Sequence, residues 1–258
     1  MIGKRIMKTA FITGATSGLG AEFARRYAKE GYRLILTGRR TERLNAIKDE
    51  LGTECRIIMA DVSDETKCKE LLDNIAGEEI DVFINNAGFG TAGSFLETNL
   101  EKEISMVKVN DVAMHILFKG VLAKMHKQGH GTILNVASSA GLFPAGPYMA
   151  TYYATKAYVT SLTKAVAHEL KEIGSNVYVA CLCPGPVDTE FNMNADVTFA
   201  LKGITAEKCV DECLKGMNKK KTVIIPTLRM KAAIYGSRLV PENFVIKMTA
   251  GQQKKKRQ

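Results

Sequence analysis

Short apolar runs alternate with longer amphipathic stretches along most of the chain, and this alternation constrains the fold more than any other feature. Strands separated by helical segments cannot close as hairpins. They form a parallel sheet whose crossover helices cover both faces. The strand-like runs are residues 8–13, 33–37, 56–60, 81–85, 132–136, 176–182 and a short last one at 221–226. Helical periodicity spans residues 18–30, 41–51 with Thr41 as its cap, a stretch opened by Ser63 or Asp64, a long helix over 100–127, and 152–173. The expected class is therefore α/β, with about seven strands. A length of 258 residues suits one large domain, taken as 1–250, followed by a basic, disordered tail at 251–258.

The first strand–helix junction reads Thr13-Gly14-Ala15-Thr16-Ser17-Gly18-Leu19-Gly20. Glycines there let backbone approach a pyrophosphate, and the helix N-terminus adds free amides and partial positive charge. The spacing of Gly14, Gly18 and Gly20 departs from the usual dinucleotide fingerprint and also suits tight strand–helix packing. The second strand ends in Leu36-Thr37-Gly38-Arg39-Arg40, with no acid to bond a ribose 2′-hydroxyl. Arginine at that point suits a 2′-phosphate, so NADP(H) is the expected cofactor, with Arg39 as the phosphate contact and Arg40 assisting. Asp61-Val62 and Asn86-Ala87-Gly88 follow the third and fourth strands. Ligands in this fold class bind beyond the carboxyl ends of the strands, which puts both segments beside an adenosine.

Tyr152 precedes Lys156 by one helical turn, on the same helix face. An ammonium beside a phenol favours the phenolate and lowers its pKa, making a proton donor and acceptor usable near neutral pH. Ser138-Ser139 lies just upstream. With the glycine turn, these residues point to carbonyl–alcohol redox chemistry on a nicotinamide cofactor.

Taken jointly, Thr13-Gly14-x-x-x-Gly18-x-Gly20, Asn85-Asn86-Ala87-Gly88, Asn110, Ser138, Tyr152-x-x-x-Lys156 and Pro184-Gly185-Pro186-Val187-x-Thr189 resemble the short-chain dehydrogenase/reductase family, in the family's order and over nearly the whole chain. The resemblance implies a single-domain, doubly wound Rossmann-like sheet. It also implies an active site of Asn110, Ser138, Tyr152 and Lys156. Tyr152 would be the general acid and base, and Lys156 would bind the nicotinamide ribose and lower the tyrosine pKa. Ser138 would polarise the carbonyl, and Asn110 would hold a water leading from Lys156 to solvent. The implied cofactor set is Gly14, Thr16, Ser17, Gly18, Leu19, Gly20, Arg39, Arg40, Asp61, Val62, Asn86, Ala87, Gly88, Tyr152, Lys156, Pro184, Gly185, Val187 and Thr189. Ser139 has the commoner spacing to Tyr152, but Ser138 fits Ser-x-Ala-Gly, and the loop after it absorbs an insertion more readily than a strand end does. Tyr153 reads as packing or substrate wall.

Apolar residues around the expected site (Phe143, Tyr148, Met149, and Phe191, Met193 and Phe199 in a lid-like segment at 184–200) suit a hydrophobic ketone such as a hydroxysteroid or bile acid. A 3-oxoacyl thioester and a small carbonyl compound are the alternatives. The family implies a homodimer or homotetramer. The stretch after Leu228 packs at an interface or over the substrate, and the sequence leaves both open.

The net charge of +9 raises the question of an anionic partner, but the tail Lys254-Lys255-Lys256-Arg257 is short and lacks interleaved aromatics, so nucleic acid is not expected. No apolar run approaches the roughly 18 residues of a membrane span, and no signal-peptide core follows the N-terminus. A cytoplasmic protein without stable membrane insertion is expected. The six cysteines lack zinc-site spacing and read as buried thiols, with no metal. Two rival readings remain, a non-catalytic nucleotide-binding protein and a basic interaction module.

Overall fold

The structure is a computed structural model that describes residues 7–190 and 203–254. Seven strands form one parallel sheet in the order β3-β2-β1-β4-β5-β6-β9: β1 (Thr9–Thr13), β2 (Arg33–Gly38), β3 (Cys55–Met59), β4 (Val82–Asn85), β5 (Gly131–Val136), β6 (Val177–Leu182) and β9 (Val223–Ile224). A small parallel pair, β7 (Val187–Asp188) and β8 (Ile204–Thr205), stands apart from it. Every residue of β1 is buried, as a strand covered on both faces requires.

Alternate side chains of the strands enter two cores. Phe11, Ile35 and Phe83 face one side, where Phe11 and Phe83 stack at 4.8 Å. They meet Leu71 of α3 (Glu65–Asn74), Leu117 of α5 (Met114–Gln128) and Val159 of α6 (Ala150–Glu172). Ala10, Ile12, Leu34 and Leu36 face the other side. There they meet Phe23 of α1 (Gly18–Lys29), Leu44 of α2 (Thr41–Leu51) and Val210 of α7 (Ala206–Asn218). The period of two along each strand thus produces the doubly wound, three-layer arrangement. All six cysteines are buried free thiols. Among the described residues, no helix is long and apolar enough to cross a membrane.

Three expectations are corrected. Thr41 is the first helical residue of α2 and not its cap; Arg40 holds the cap position and makes no side-chain cap bond. The long helix expected at 100–127 is α4 (Leu100–Val107) and α5 joined by a π-helical turn, Lys108–Ala113, which helical periodicity cannot reveal. Residues 251–254 are not a disordered tail. They belong to the last helix, α9 (Glu242–Lys254), which buries Val245, Thr249 and Gln253, so the packed chain runs past the expected boundary at 250. Asp64, and not Ser63, caps α3, its carboxylate accepting from the Thr66 N–H at 2.8 Å. Phe191, Met193 and Phe199 of the expected lid lie outside the described residues.

Candidate active site

A cleft of about 850 Å³ opens beyond the carboxyl ends of the strands. The sheet order reverses between β1 and β4, so the crossovers leaving these strands diverge and the cleft forms between them. All the residues expected to hold a cofactor line it except Gly20. Gly20 acts in packing: a Cβ there would collide with the Gly14 carbonyl oxygen and lie 2.6 Å from Asn86 Nδ2. Gly14 needs its glycine twice over, with φ of +63° and the Ala87 Cα 2.9 Å from where a Cβ would stand.

The β4 end is stitched to the glycine turn. Thr13 Oγ1 accepts from the Asn86 and Ala87 N–H groups at 2.9 and 3.0 Å, while Asn86 Nδ2 donates to the Thr13 and Gly14 carbonyls at 3.0 and 3.1 Å. Asn86 therefore fixes the shape of the crevice. Helix α1 begins at this turn with no acid in its first turn and no side-chain cap on its amides, leaving its positive end toward the cleft.

At the end of β2, Arg39 and Arg40 are both exposed and both reach the cleft. Arg40 is the more constrained. Its Nη2 donates to Thr16 Oγ1 at 3.1 Å, Ser17 Oγ at 3.2 Å and Glu190 Oε2 at 3.2 Å. Arg43 pairs with the same Glu190, and these two guanidinium groups hold the Glu190 carboxyl below the usual range. Asp61 Oδ1 accepts from the Ser63 N–H at 3.0 Å and Ser63 Oγ at 2.8 Å, which fixes its carboxylate at the cleft wall.

Tyr152 and Lys156 come from the first two turns of α6, and both are buried. Ser138 lies two residues past the end of β5 and caps a 3₁₀ turn (Ser139–Leu142), its Oγ accepting from the Ala140 N–H at 3.1 Å. Its hydroxyl also hydrogen-bonds the Tyr152 phenol. Ser139 lines the same cleft, and its N–H donates to the Pro184 carbonyl at 2.8 Å. The following Gly141 lies against the backbone of α6, where a Cβ would collide with the Lys156 carbonyl, so Ser-x-Ala-Gly brings β5 and α6 into contact.

Burial pushes the Tyr152 phenol up to about 12, and the Ser138 hydrogen bond only partly offsets this. The Lys156 Nζ donates to the Val136 carbonyl at 3.1 Å and sits 5.8 Å from the Tyr152 ring centroid. Burial likewise brings Lys156 down to about 8, with Asp111 opposing that shift.

Asn110 lies in the π-helical turn and does not line the cleft. Its Oδ1 accepts from the Phe89 N–H at 3.0 Å, and its Nδ2 donates to the Phe89 carbonyl at 2.9 Å and Thr155 Oγ1 at 3.1 Å. Its side chain thus ties the Phe89 backbone to Thr155 of α6. Sequence reasoning missed its neighbour. Asp111 carries a buried Oδ1 with no hydrogen-bond partner among the described residues, and burial raises its carboxyl to about 6 against the pull of Lys156.

Of the two places left open for the stretch after Leu228, the C-terminal helices take the one at the cleft. Met230 and Ala233 of α8 (Leu228–Ser237) and Thr249 and Gln253 of α9 line the same cleft as Phe143 and Met149. Thr249 Oγ1 donates to the Ala145 carbonyl at 3.0 Å, and Gln253 Nε2 to the Tyr153 hydroxyl at 2.8 Å. These contacts join residues 104 and 100 positions apart, a separation at which no local pattern signals a pairing.

Comparison with known proteins gives a consistent result. The short chain dehydrogenase family profile matches residues 8–198. An NADP-dependent 3-hydroxy acid dehydrogenase of Escherichia coli (strain K12) is 36% identical over 186 residues, covering 70% of this chain and 73% of that protein. The structure of a short-chain dehydrogenase from Sphingobium yanoikuyae in complex with NADPH is 31% identical with a TM-score of 0.80, over 90% of this chain and 94% of the other. A 7β-hydroxysteroid dehydrogenase structure superposes with a TM-score of 0.83 at 26% identity, over 94% of this chain and 96% of the other.

Proposed function

The chain belongs to the short-chain dehydrogenase family, and from that premise we propose that this oxidoreductase interconverts a hydrophobic ketone, such as a ketosteroid or bile-acid ketone, and its alcohol, with NADP(H) as cofactor and Tyr152 as the proton donor and acceptor. The observation that carries the reading is the placement of Ser138, Tyr152 and Lys156 in one cleft with the glycine turn, the hydroxyl of Ser138 bonded to the Tyr152 phenol.

The cleft suits a dinucleotide phosphate. The uncapped start of α1 offers amides to a pyrophosphate, and Gly14 admits it by leaving no Cβ in the way. Arg39 and Arg40 stand where a 2′-phosphate would be met, with no competing acid on β2. Asp61 and Val62 would face the adenine, Asn86 to Gly88 the ribose, and Pro184, Gly185, Val187 and Thr189 the nicotinamide. When bound, the cofactor supplies the hydride.

The remaining chemistry belongs to the chain. Ser138 and Tyr152 donate hydrogen bonds to the substrate oxygen and hold it in place. A phenol pushed up to about 12 keeps its proton at neutral pH, which suits Tyr152 to give that proton to the developing alkoxide during reduction. Lys156 at about 8 is ionised below that pH and can restore the proton, with Asp111 steadying its charge. Phe143, Met149 and Met230 line the substrate end with apolar surface, which supports a hydrophobic substrate. A 3-oxoacyl thioester is the second reading, favoured by the similarity to the 3-hydroxy acid dehydrogenase. A cytoplasmic homodimer or homotetramer completes the proposal.

The test is oxidation of NADPH and of NADH by the purified protein over ketosteroids, bile-acid ketones, 3-oxoacyl thioesters and small aldehydes. Turnover with NADPH on the first two groups supports the reading. Preference for the thioesters replaces it with the second reading, and NADPH binding without turnover on any group overturns the catalytic assignment.

A further inference from the structure

Tyr153, next to the proposed proton donor, is held from three sides. Its ring packs edge-on to Tyr152 at 6.5 Å and 75°. Gly146 lies against its face so closely that a Cβ there would collide with the ring. Its hydroxyl accepts from Gln253 Nε2 at 2.8 Å. A residue serving only as apolar filling needs no such anchoring of its polar tip, and Phe would serve as well.

The Tyr153–Gln253 pair also leaves hydrogen-bonding capacity unused. Gln253 is 4% exposed, and its buried Oε1 has no partner among the described residues. Tyr153 uses its oxygen as an acceptor, so its own proton has no acceptor among the described residues. Turning the Gln253 amide over would satisfy Oε1 with the Tyr153 proton, but would strand Nε2 instead. As placed, the pair leaves both Gln253 Oε1 and the Tyr153 proton unmatched among the described residues, in a cleft that Met149, Phe143, Met230, Thr249 and Gln252 also line. Buried polar groups are rarely left unmatched unless a ligand or water completes them. Burial also raises the Tyr153 phenol, so it keeps its proton to donate.

We propose that Tyr153, held by Gln253, is a second substrate anchor that donates a hydrogen bond to an oxygen of the substrate other than the reacting carbonyl. The substrate class is then a bifunctional carbonyl compound bearing a second acceptor oxygen, such as an ester, carboxyl, ketone or hydroxyl. The two tyrosine rings are neighbours, so both oxygens belong to one small molecule lying along the face of α6. This rests on the oxidoreductase reading for the position of the reacting carbonyl. Gln253 is a positioning residue, and its place on the last helix makes the C-terminus a determinant of specificity.

The test measures binding, so it does not depend on turnover. Ethyl esters of 3-, 4- and 5-hydroxy acids are titrated into the NADPH-loaded protein by calorimetry, alongside secondary alcohols of matched length without the ester. The expected result is a preference of about tenfold for at least one ester, the scale of one buried hydrogen bond. Tyr153→Phe and Gln253→Leu should each erase that preference, while Tyr152→Phe should retain it. Erasure of turnover by Tyr152→Phe tests the oxidoreductase reading separately. The proposal is overturned if no ester is preferred, or if the preference survives in Tyr153→Phe. The readout is a ratio between two ligands on the same protein, so a general loss of folded protein does not mimic the expected result.

Discussion

The Lys156 ammonium lies 5.8 Å from the centroid of the Tyr152 ring, yet its hydrogen bond goes to the Val136 carbonyl, 3.1 Å away. The lysine thus bridges the end of β5 and the helix that carries the tyrosine. In this state it is a tether between two elements, and the phenol keeps its proton because burial outweighs any help from the charge.

Replacing Tyr152 by Phe keeps the ring in its packed site and removes the proton. The expected outcome is a fall in kcat of about 100-fold or more, with NADPH affinity largely unchanged. Steady-state rates combined with fluorescence titration of NADPH check both parts. Near-normal turnover would remove Tyr152 from the mechanism.

Asp111 gives a pH-dependent prediction. Its carboxyl is raised to about 6, so the native state holds that proton more tightly than the unfolded chain does. The cost of ionising it is absent below about pH 4, grows as pH rises through the folded value, and is fully present above it. Asp111→Asn should therefore stabilise the protein at pH 7 and lose that gain near pH 4, as read by urea denaturation at the two pH values. The same change removes the group that holds Lys156 up, so the alkaline limb of the carbonyl-reduction profile should move to lower pH. An unmoved limb would disconnect Asp111 from Lys156.

Arg40 tests cofactor choice. Arg40→Ala should weaken NADPH binding about tenfold or more, the scale of a charge-assisted hydrogen bond, and change NADH binding by about twofold or less. Paired titrations with the two cofactors decide it, and equal losses for both would place the arginine away from the 2′ position. Gly38→Asp is the less clean alternative, because a Cβ at residue 38 would stand 2.8 Å from Thr16 Cγ2 and disturb the turn itself.

Gly20→Ala tests the packing of the glycine turn. The added methyl meets the Gly14 carbonyl, a backbone atom that cannot swing aside. A loss of about 1–3 kcal/mol is expected, lowering Tm by about 2–4 °C for each kcal/mol. Gly77→Ala is the control, since a Cβ there meets nothing within 4 Å. Equal melting temperatures for the two variants would contradict the reading of Gly20 as a contact point.

The alternation of apolar and amphipathic segments determined the parallel sheet, because strand and helix periods are local and each strand had to be covered on both faces. The turn at Gly14 and the pair Tyr152 and Lys156 were legible for the same reason: four-residue spacing on a helix and glycines at a strand end define geometry without help from the rest of the chain. The tertiary structure decided what depends on distant partners. Burial raises the Tyr152 phenol, and desolvation is a property of everything packed around the ring. The π-helical turn that carries Asn110 and Asp111 left no mark in the periodicity. Gln253 reached Tyr153 only when the last helix folded back across the cleft, so residues that read as a loose basic end became part of the site.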